Sequence, residues 1–501
     1  MSEISFPLLS LLIFFPIFGA IVVGSTQNIS LAKTIALVIS GLELVLALIV
    51  VYFFDASVEG FQLVEKYDWI PQLKIEYLIG IDGISLLFLP LSALLTIIVI
   101  LASWNSVQHN RRFHFSLLLA LQGVTVGVFC SLDMALFFLF WELTLPPFFF
   151  LIGLWGIGSQ RREAAMKYTL FMLAGGVALL LAITLLAANH ATQIGGEIPS
   201  GLSFSLPILL QTALPDDEQK LVFLLLLFGF AVKAPLVPFH TWLPTVAMEG
   251  PTHVVAILVG LKLGVYGILR FTMPLAPTAA VEYSWVISLF GAITLVYAAL
   301  IALQQTNLRR LLAYASVSHV GLVIVGIASL TMQGVQGAIF QLLNFTLIAS
   351  VLMLISGFIH HRLGSTDDLH LGGLAKVMPR LSCIYFLFVL ASIGVPGTSG
   401  FPAEFLMIVG ALTVNAALGI AALIGAVLGA GYMLSFSRRA FLGPIINVDV
   451  KQAHDIQLRE LVLVCIPTVL ILLFGFFPDS ILKLNHAASE AWLARLTMPV
   501  P

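Results

Sequence analysis

Glu142, Lys233, Lys262 and Glu404 each stand inside a stretch otherwise long and apolar enough to cross a bilayer. A charge at the centre of a spanning helix costs roughly 2.5–3.5 kcal/mol even on lenient insertion scales, so such residues face a protein interior or a water-filled cavity. Two acids and two lysines so placed suit a path for protons or cations. A carboxylate that approaches or leaves a desolvated lysine switches it between holding and releasing a proton. Glu142 and Lys233 form such a tunable pair on this reading, with Lys262 an intermediate station and Glu404 the terminal one. His319, in LLAYASVSHVGLVIV, has the near-neutral chemistry of a proton relay; a hydrogen-bonded core histidine is the alternative.

The composition fits a membrane protein. Hydrophobic residues make up 60% of the 501-residue chain and charged ones 10%, against about 25% charged in soluble domains; the mean hydropathy is +1.07. Cys130, Cys383 and Cys465 form no CxxC or Cys/His cluster, which argues against a disulfide framework or an iron–sulfur site. Glu3 occupies the place where a cleaved signal would carry Lys or Arg, so the first apolar run reads as a retained span.

A spanning helix needs about 20 mostly apolar residues. Fourteen candidates meet that need, at 5–24, 31–54, 78–103, 114–131, 134–157, 165–188, 221–243, 251–272, 282–303, 308–331, 335–360, 382–412, 415–437 and 459–477. The longer connections are 55–77, 189–220, 361–381 and 438–458. With the N-terminus outside, the inner loops hold fifteen Lys and Arg and the outer loops and ends hold six, Arg270 among the outer ones. This positive-inside bias predicts both termini outside.

Two of these spans are interrupted. FAVKAPLVPFHTWLP places Pro235 and Pro238 just after Lys233, and ASIGVPGTSGFPAEFLM places Pro396 and Pro402 just before Glu404. Proline removes a helix donor and clashes with the preceding turn, and irregular backbone at membrane depth survives only when protein-buried or lining a cavity. Broken segments in matching places of two halves mark repeat-built transporters. The predicted fold is therefore all-α and polytopic, with fourteen transmembrane helices and two inverted five-helix repeats, each broken in its fourth helix. The expected division is a three-helix region at 1–110, repeats at 111–275 and 276–440, and a C-terminal helix and tail at 441–501.

Plainer readings stand beside these. Glu142 with Lys233 could be a structural ion pair only. Glu43 is deep in its span but outside both repeats, which suggests helix packing or assembly. Asp82 and Asp133 begin their spans and read as interface caps rather than carriers. His360 and His361 flank Arg362 without a second ligand cluster, weak grounds for a metal.

LFFLFWELTLPPFFFLIG, FAVKAPLVPFHTWLPTVAMEGPTHVVAIL, NLRRLLAYASVSHVGLVIVGI and GVPGTSGFPAEF resemble the antiporter-like membrane subunits of respiratory complex I and its photosynthetic relatives. A glutamate at position 404 points to the M-type member, since other types usually have lysine there. The resemblance covers about residues 75–445. It implies one proton channel, docking beside other antiporter-like and membrane-arm subunits in a lipid bilayer, and proton-transfer roles for Glu142, Lys233, Lys262 and Glu404. Asp82, Asp133, Lys167 and His319 match recurrent family residues. Asn344 departs from the pattern, standing where M-type subunits usually carry a histidine; it can hold water but cannot titrate.

Three functions are compatible with these residues: a proton-pumping subunit of a quinone-reducing complex, a stand-alone or multi-subunit sodium/proton antiporter, and a non-conducting scaffold. Half of the buried stations are lysines, while sodium favours hard oxygen ligands, so protons are the expected cargo. A specialised cyanobacterial form linked to carbon dioxide uptake is a variant of the first. No motif for NADH, flavin, an iron–sulfur cluster, a metal or nucleic acid is present. Quinone, iron–sulfur clusters and any flavin are thus expected in partner subunits, in a bacterial inner membrane or cyanobacterial thylakoid.

Overall fold

The computed structural model describes residues 6–497; Glu3 lies outside the described residues. Among the described residues, eleven helices are long and apolar enough to cross a membrane. The three other expected segments are shorter or broken: Phe88–Ser103, Asp216–Lys233 followed by Trp242–Glu249, and Pro379–Ser392 followed by Gly400–Val414. Nearly every span is apolar all round, as helices in lipid or in a buried bundle must be.

Two additions lie at one membrane face. Gln62–Ile70 and Ile75–Ile81 pair as an antiparallel hairpin, so the third span starts at Phe88 and not at 78. Beyond the last span, Asp479–Thr497 forms a further helix in what the sequence presented as a tail. Its Trp492 indole donates to the carbonyl of Leu269 at 2.8 Å, and Arg495 Nε donates to that of Pro274 at 3.0 Å. Gln336 Nε2 donates to its Leu482 carbonyl at 3.0 Å. We call this side the hairpin face. The opposite side, bearing Arg111, Arg309, Arg362 and Arg439, is the arginine face.

Two five-helix units follow the N-terminal helices. In the first, Arg111–Cys130, Met134–Trp155, Arg161–Gln193, the broken Lys233 segment and Thr252–Leu275 pack each on the next. In the second, Ser284–Leu303, Leu308–Ala328, Met332–Leu363, the broken Glu404 segment and Ala416–Ala440 do the same. The break expected from the sequence falls in fourth place in both.

The breaks sit near the prolines that signal them. After Lys233 the helix ends, Pro235 and Pro238 occupy the turn, and helix resumes through Phe239–Thr241. The indole of Trp242 donates to the carbonyl of Val232 at 2.9 Å and satisfies a freed acceptor. In the second unit residues 393–399 are non-helical, with Gly394 and Gly397 at φ +67 and +91, a region that favours glycine. Pro396 lies in that loop, whereas Pro402 is already inside the first turn of Gly400–Val414, where proline's missing donor costs nothing.

Candidate functional site

The first unit brings Lys233 to the second helix of its repeat. That helix is itself interrupted at Thr144, between Met134–Leu143 and Leu145–Trp155. Lys233 Nζ donates to Thr144 Oγ1 at 2.8 Å and to the Trp141 carbonyl at 3.4 Å, and it lies 3.8 Å from the Trp141 ring centroid. A cation over an indole is stabilised by the ring quadrupole, more so when desolvated.

Glu142 directly follows Trp141 in sequence but makes no ion pair with Lys233. Among the described residues no carboxylate oxygen lies within ion-pair distance of the lysine. The expected pair is therefore a gapped one, because residues 141 and 142 point about 100° apart around their helix. Glu142 Oε1 is buried without a partner among the described residues, against Gly176, where a Cβ would come within 2.3 Å of it. Glycine at 176 makes the room this carboxyl needs.

Lys262 was expected within a continuous span, yet the helix breaks at it. Thr252–Gly260 ends, and Leu263–Gly267 begins, on either side of Leu261 and Lys262. Lys262 Nζ donates to Ser316 Oγ at 2.6 Å and lies 5.1 Å from the Phe345 ring centroid. Ser316 stands three residues before His319 on Leu308–Ala328, which places both on one helical face. His319 Nδ1 faces Glu404 Oε1 at 3.5 Å. Lys262, Ser316, His319 and Glu404 thus form one buried run across the junction of the two units.

A cavity of about 30 Å³ adjoins this run, lined in part by Ser316, His319, Gln341, Asn344 and Ser392. That volume suits a water among several polar partners. Asn344 Nδ2 donates to the Ser399 carbonyl at 2.9 Å and to Gln341 Oε1 at 3.2 Å, so it ties the second break to the neighbouring helix. Glu404 lies against the same break: a Cβ at Gly394 would meet Glu404 Oε2 at 2.6 Å.

The remaining singled-out residues anchor elements. Asp133 caps Met134–Leu143 by accepting from the N–H groups of Ala135 and Leu136 at 2.9 and 3.0 Å. Asp82 accepts from Ile84 and Ser85 N–H, each at 3.1 Å, and also pairs with Arg270. Arg270 is accordingly not an outer-loop charge; it is 6% exposed, in a π-helical turn at Ile268–Thr272. Lys167 Nζ donates to the Thr241 carbonyl and Thr245 Oγ1, each at 3.0 Å, and holds the segment beyond the first break. Glu43 is fully buried, and neither oxygen has a partner among the described residues.

Sequence reasoning passed over Thr144, Ser316, Gly176 and Gly394. The Pro146-Pro147 pair signalled the kink at Thr144; Ser316 had only its spacing from His319.

Comparison with known proteins supports the fold. A family described as NADH:quinone oxidoreductase/Mrp antiporter, transmembrane, matches residues 131–429. The NADH-quinone oxidoreductase subunit M of Rickettsia prowazekii is 35% identical, over 98% of this chain and 99% of its own. The NADH-ubiquinone oxidoreductase chain 4 of Arabidopsis thaliana is 35% identical over 96% of each. A chain of respiratory complex I from Thermus thermophilus superposes with a TM-score of 0.89 at 26% identity, covering 98% of this chain and all of that one.

Proposed function

The chain belongs to the NADH:quinone oxidoreductase/Mrp antiporter family of membrane subunits as an M-type, antiporter-like member, and we propose that it moves protons through the residues described above. It is a multi-pass membrane protein and a component of a multi-subunit quinone oxidoreductase. Its neighbours would be other antiporter-like and membrane-arm subunits. The arginine face would lie inside and both termini outside, as the positive-inside bias favours. Electron transfer, with its quinone, iron–sulfur clusters and any flavin, belongs in partner chains on this reading.

The observation that carries the proposal is the buried run from Lys262 through Ser316 and His319 to Glu404. Each member can hold or pass a proton, and the gap from Ser316 to His319 is one helical turn. Lys233 stands at the matching break of the first unit, where Thr144 and the Trp141 carbonyl take its donors. Glu142 reaches it only after a rotamer change or through water. A shift of Glu142 toward Lys233 would therefore set when the lysine releases its proton toward Lys262.

Lys262→Ala tests the reading. Removing a group that transfers protons costs about a hundredfold or more, so pumping in reconstituted vesicles should vanish while the complex assembles. Normal pumping by the assembled variant would refute the relay and favour a scaffold.

A further inference from the structure

Three cations meet at the arginine face with no carboxylate paired to them. Lys33 lies in the second turn of Ile29–Phe53, Arg111 opens Arg111–Cys130, and Arg459 stands in the first turn of Leu458–Phe476. Lys33 is 8% exposed; its Nζ donates to the Trp104 carbonyl at 2.5 Å and lies 5.4 Å from the centroid of the Trp104 ring. Arg111 and Arg459 are near enough to repel its charge. Arg111 Nη2 donates to Gln108 Oε1 at 2.6 Å. Among the described residues none of the three cations is in an ion pair, and the Nε groups of Arg111 and Arg459 are buried without partners. Glu460, next to Arg459, is taken by Arg362. Asp449 lines the same cavity as Arg459 but pairs with none of the three. A buried donor of a charged group that finds no acceptor is costly, so the cluster calls for an anion. Phosphate oxygens match guanidinium donors two at a time.

The cluster closes one end of an apolar seam. Of the 16 residues of Phe88–Ser103 all are buried except Ile97, Leu101 and Ala102. Ile97 and Leu101, with half-buried Trp104 just beyond, recur at helical spacing and form one stripe. Leu95, about 200° round the helix from Ile97, meets Gly260. Thr96, about 100° round, lies 2.6 Å from the side-chain amide of Gln122. With those sides taken, the stripe faces the seam between Ile29–Phe53 and Leu458–Phe476, which both pack on this helix. Each of the two turns apolar side chains outward, Val38, Leu42 and Val45 from one and Val462, Ile466 and Val469 from the other. Standing in the first turns of their spans, the three cations lie at headgroup depth, where tryptophan is also enriched.

We infer that this seam holds an anionic phospholipid, with its phosphate among Lys33, Arg111 and Arg459 and an acyl chain along Trp104, Leu101 and Ile97. A free phosphate would answer the cations but leave the stripe uncovered. A zwitterionic lipid would cover the stripe but bring a cationic headgroup to a cationic site. An acidic side chain from a neighbouring subunit would meet the charge alone.

The experiment places the assembled complex in nanodiscs of phosphatidylcholine containing a small share of phosphatidylglycerol with a photoreactive acyl chain. After illumination, peptides spanning Ile97 and Leu101 should carry the label. The Lys33→Gln/Arg459→Gln double variant should be labelled there roughly 25-fold less, about fivefold for each cation removed near an anionic lipid. Arg438→Gln, an exposed cation at the same face, should be labelled like the parent. Parent-like labelling of the double variant, or an equal loss in Arg438→Gln, would overturn the site. Should the double variant not assemble, the parent alone decides: photoreactive phosphatidylcholine must label the seam far less than phosphatidylglycerol. Equal labelling by the two lipids overturns the anionic assignment. A seam that neither lipid labels overturns the lipid itself and leaves the cations to a carboxylate of a neighbouring subunit.

Discussion

The two units place a titratable acid and a cation partner beside a broken helix, but they close the distance differently. In the second unit His319 and Glu404 face each other at 3.5 Å, and Ser316 links the same helix to Lys262. In the first, Lys233 spends its donors on Thr144 and a carbonyl while Glu142 looks away toward Gly176. One arrangement is closed except for the turn of helix between Ser316 and His319, and the other is an open contact. An open contact can be made and unmade, which is what a control point needs; a nearly closed one need only conduct. On the proposed proton-moving reading, the first unit is suited to gating and the second to transfer.

The largest effect that bears on this contrast is expected at the open contact. Glu142→Ala and Lys233→Ala should each leave the complex assembled and cut proton pumping and coupled quinone reduction by about a hundredfold or more. An assembled Lys233→Ala complex that pumps normally would remove the first unit from the mechanism.

A smaller difference is expected at the far end of the conduit. Glu404→Lys should retain more activity than Glu404→Ala, because lysine can still take and give a proton next to His319 while alanine leaves only water. Proton uptake by vesicles, normalised by immunoblot, decides between them. Equal inactivity in two assembled variants would mean that position 404 is needed for its negative charge.

The smallest effects come from the hydroxyls that hold the lysines. A hydrogen bond to a charged group is worth roughly 1.5–3 kcal/mol, and among the described residues Ser316 is the sole hydrogen-bond partner of the Lys262 ammonium. Lys233 keeps the Trp141 carbonyl and ring when Thr144 is lost. Ser316→Ala should therefore slow pumping more than Thr144→Val; the reverse order in matched vesicles would contradict the division between conduit and contact.

Much of this was legible in the sequence, and the exceptions have a common cause. Charges inside apolar windows and prolines beside them are local signals, so Lys233, Glu404 and both breaks could be found without a fold. The interruption at Lys262 could not. No proline marks it, and apart from the lysine itself the window VGLKLG stays apolar. The Asp82–Arg270 pair joins residues 188 positions apart, which no window can see. The hairpin was missed although VEKYDW and IEYLIGI are rich in β-formers around a Pro71 turn; the apolar end of its second strand ran into the next span and was absorbed by it. The orientation of Glu142 escaped as well, since adjacency in sequence says nothing of contact on a helix.

The helix Asp479–Thr497 works as a clasp. It joins Gln336 of the second unit to the carbonyls of Leu269 and Pro274 in the first. The hairpin-face ends of the two units are thereby cross-braced by an element that belongs to neither. Sliding of one unit past the other at this face would have to break these bonds.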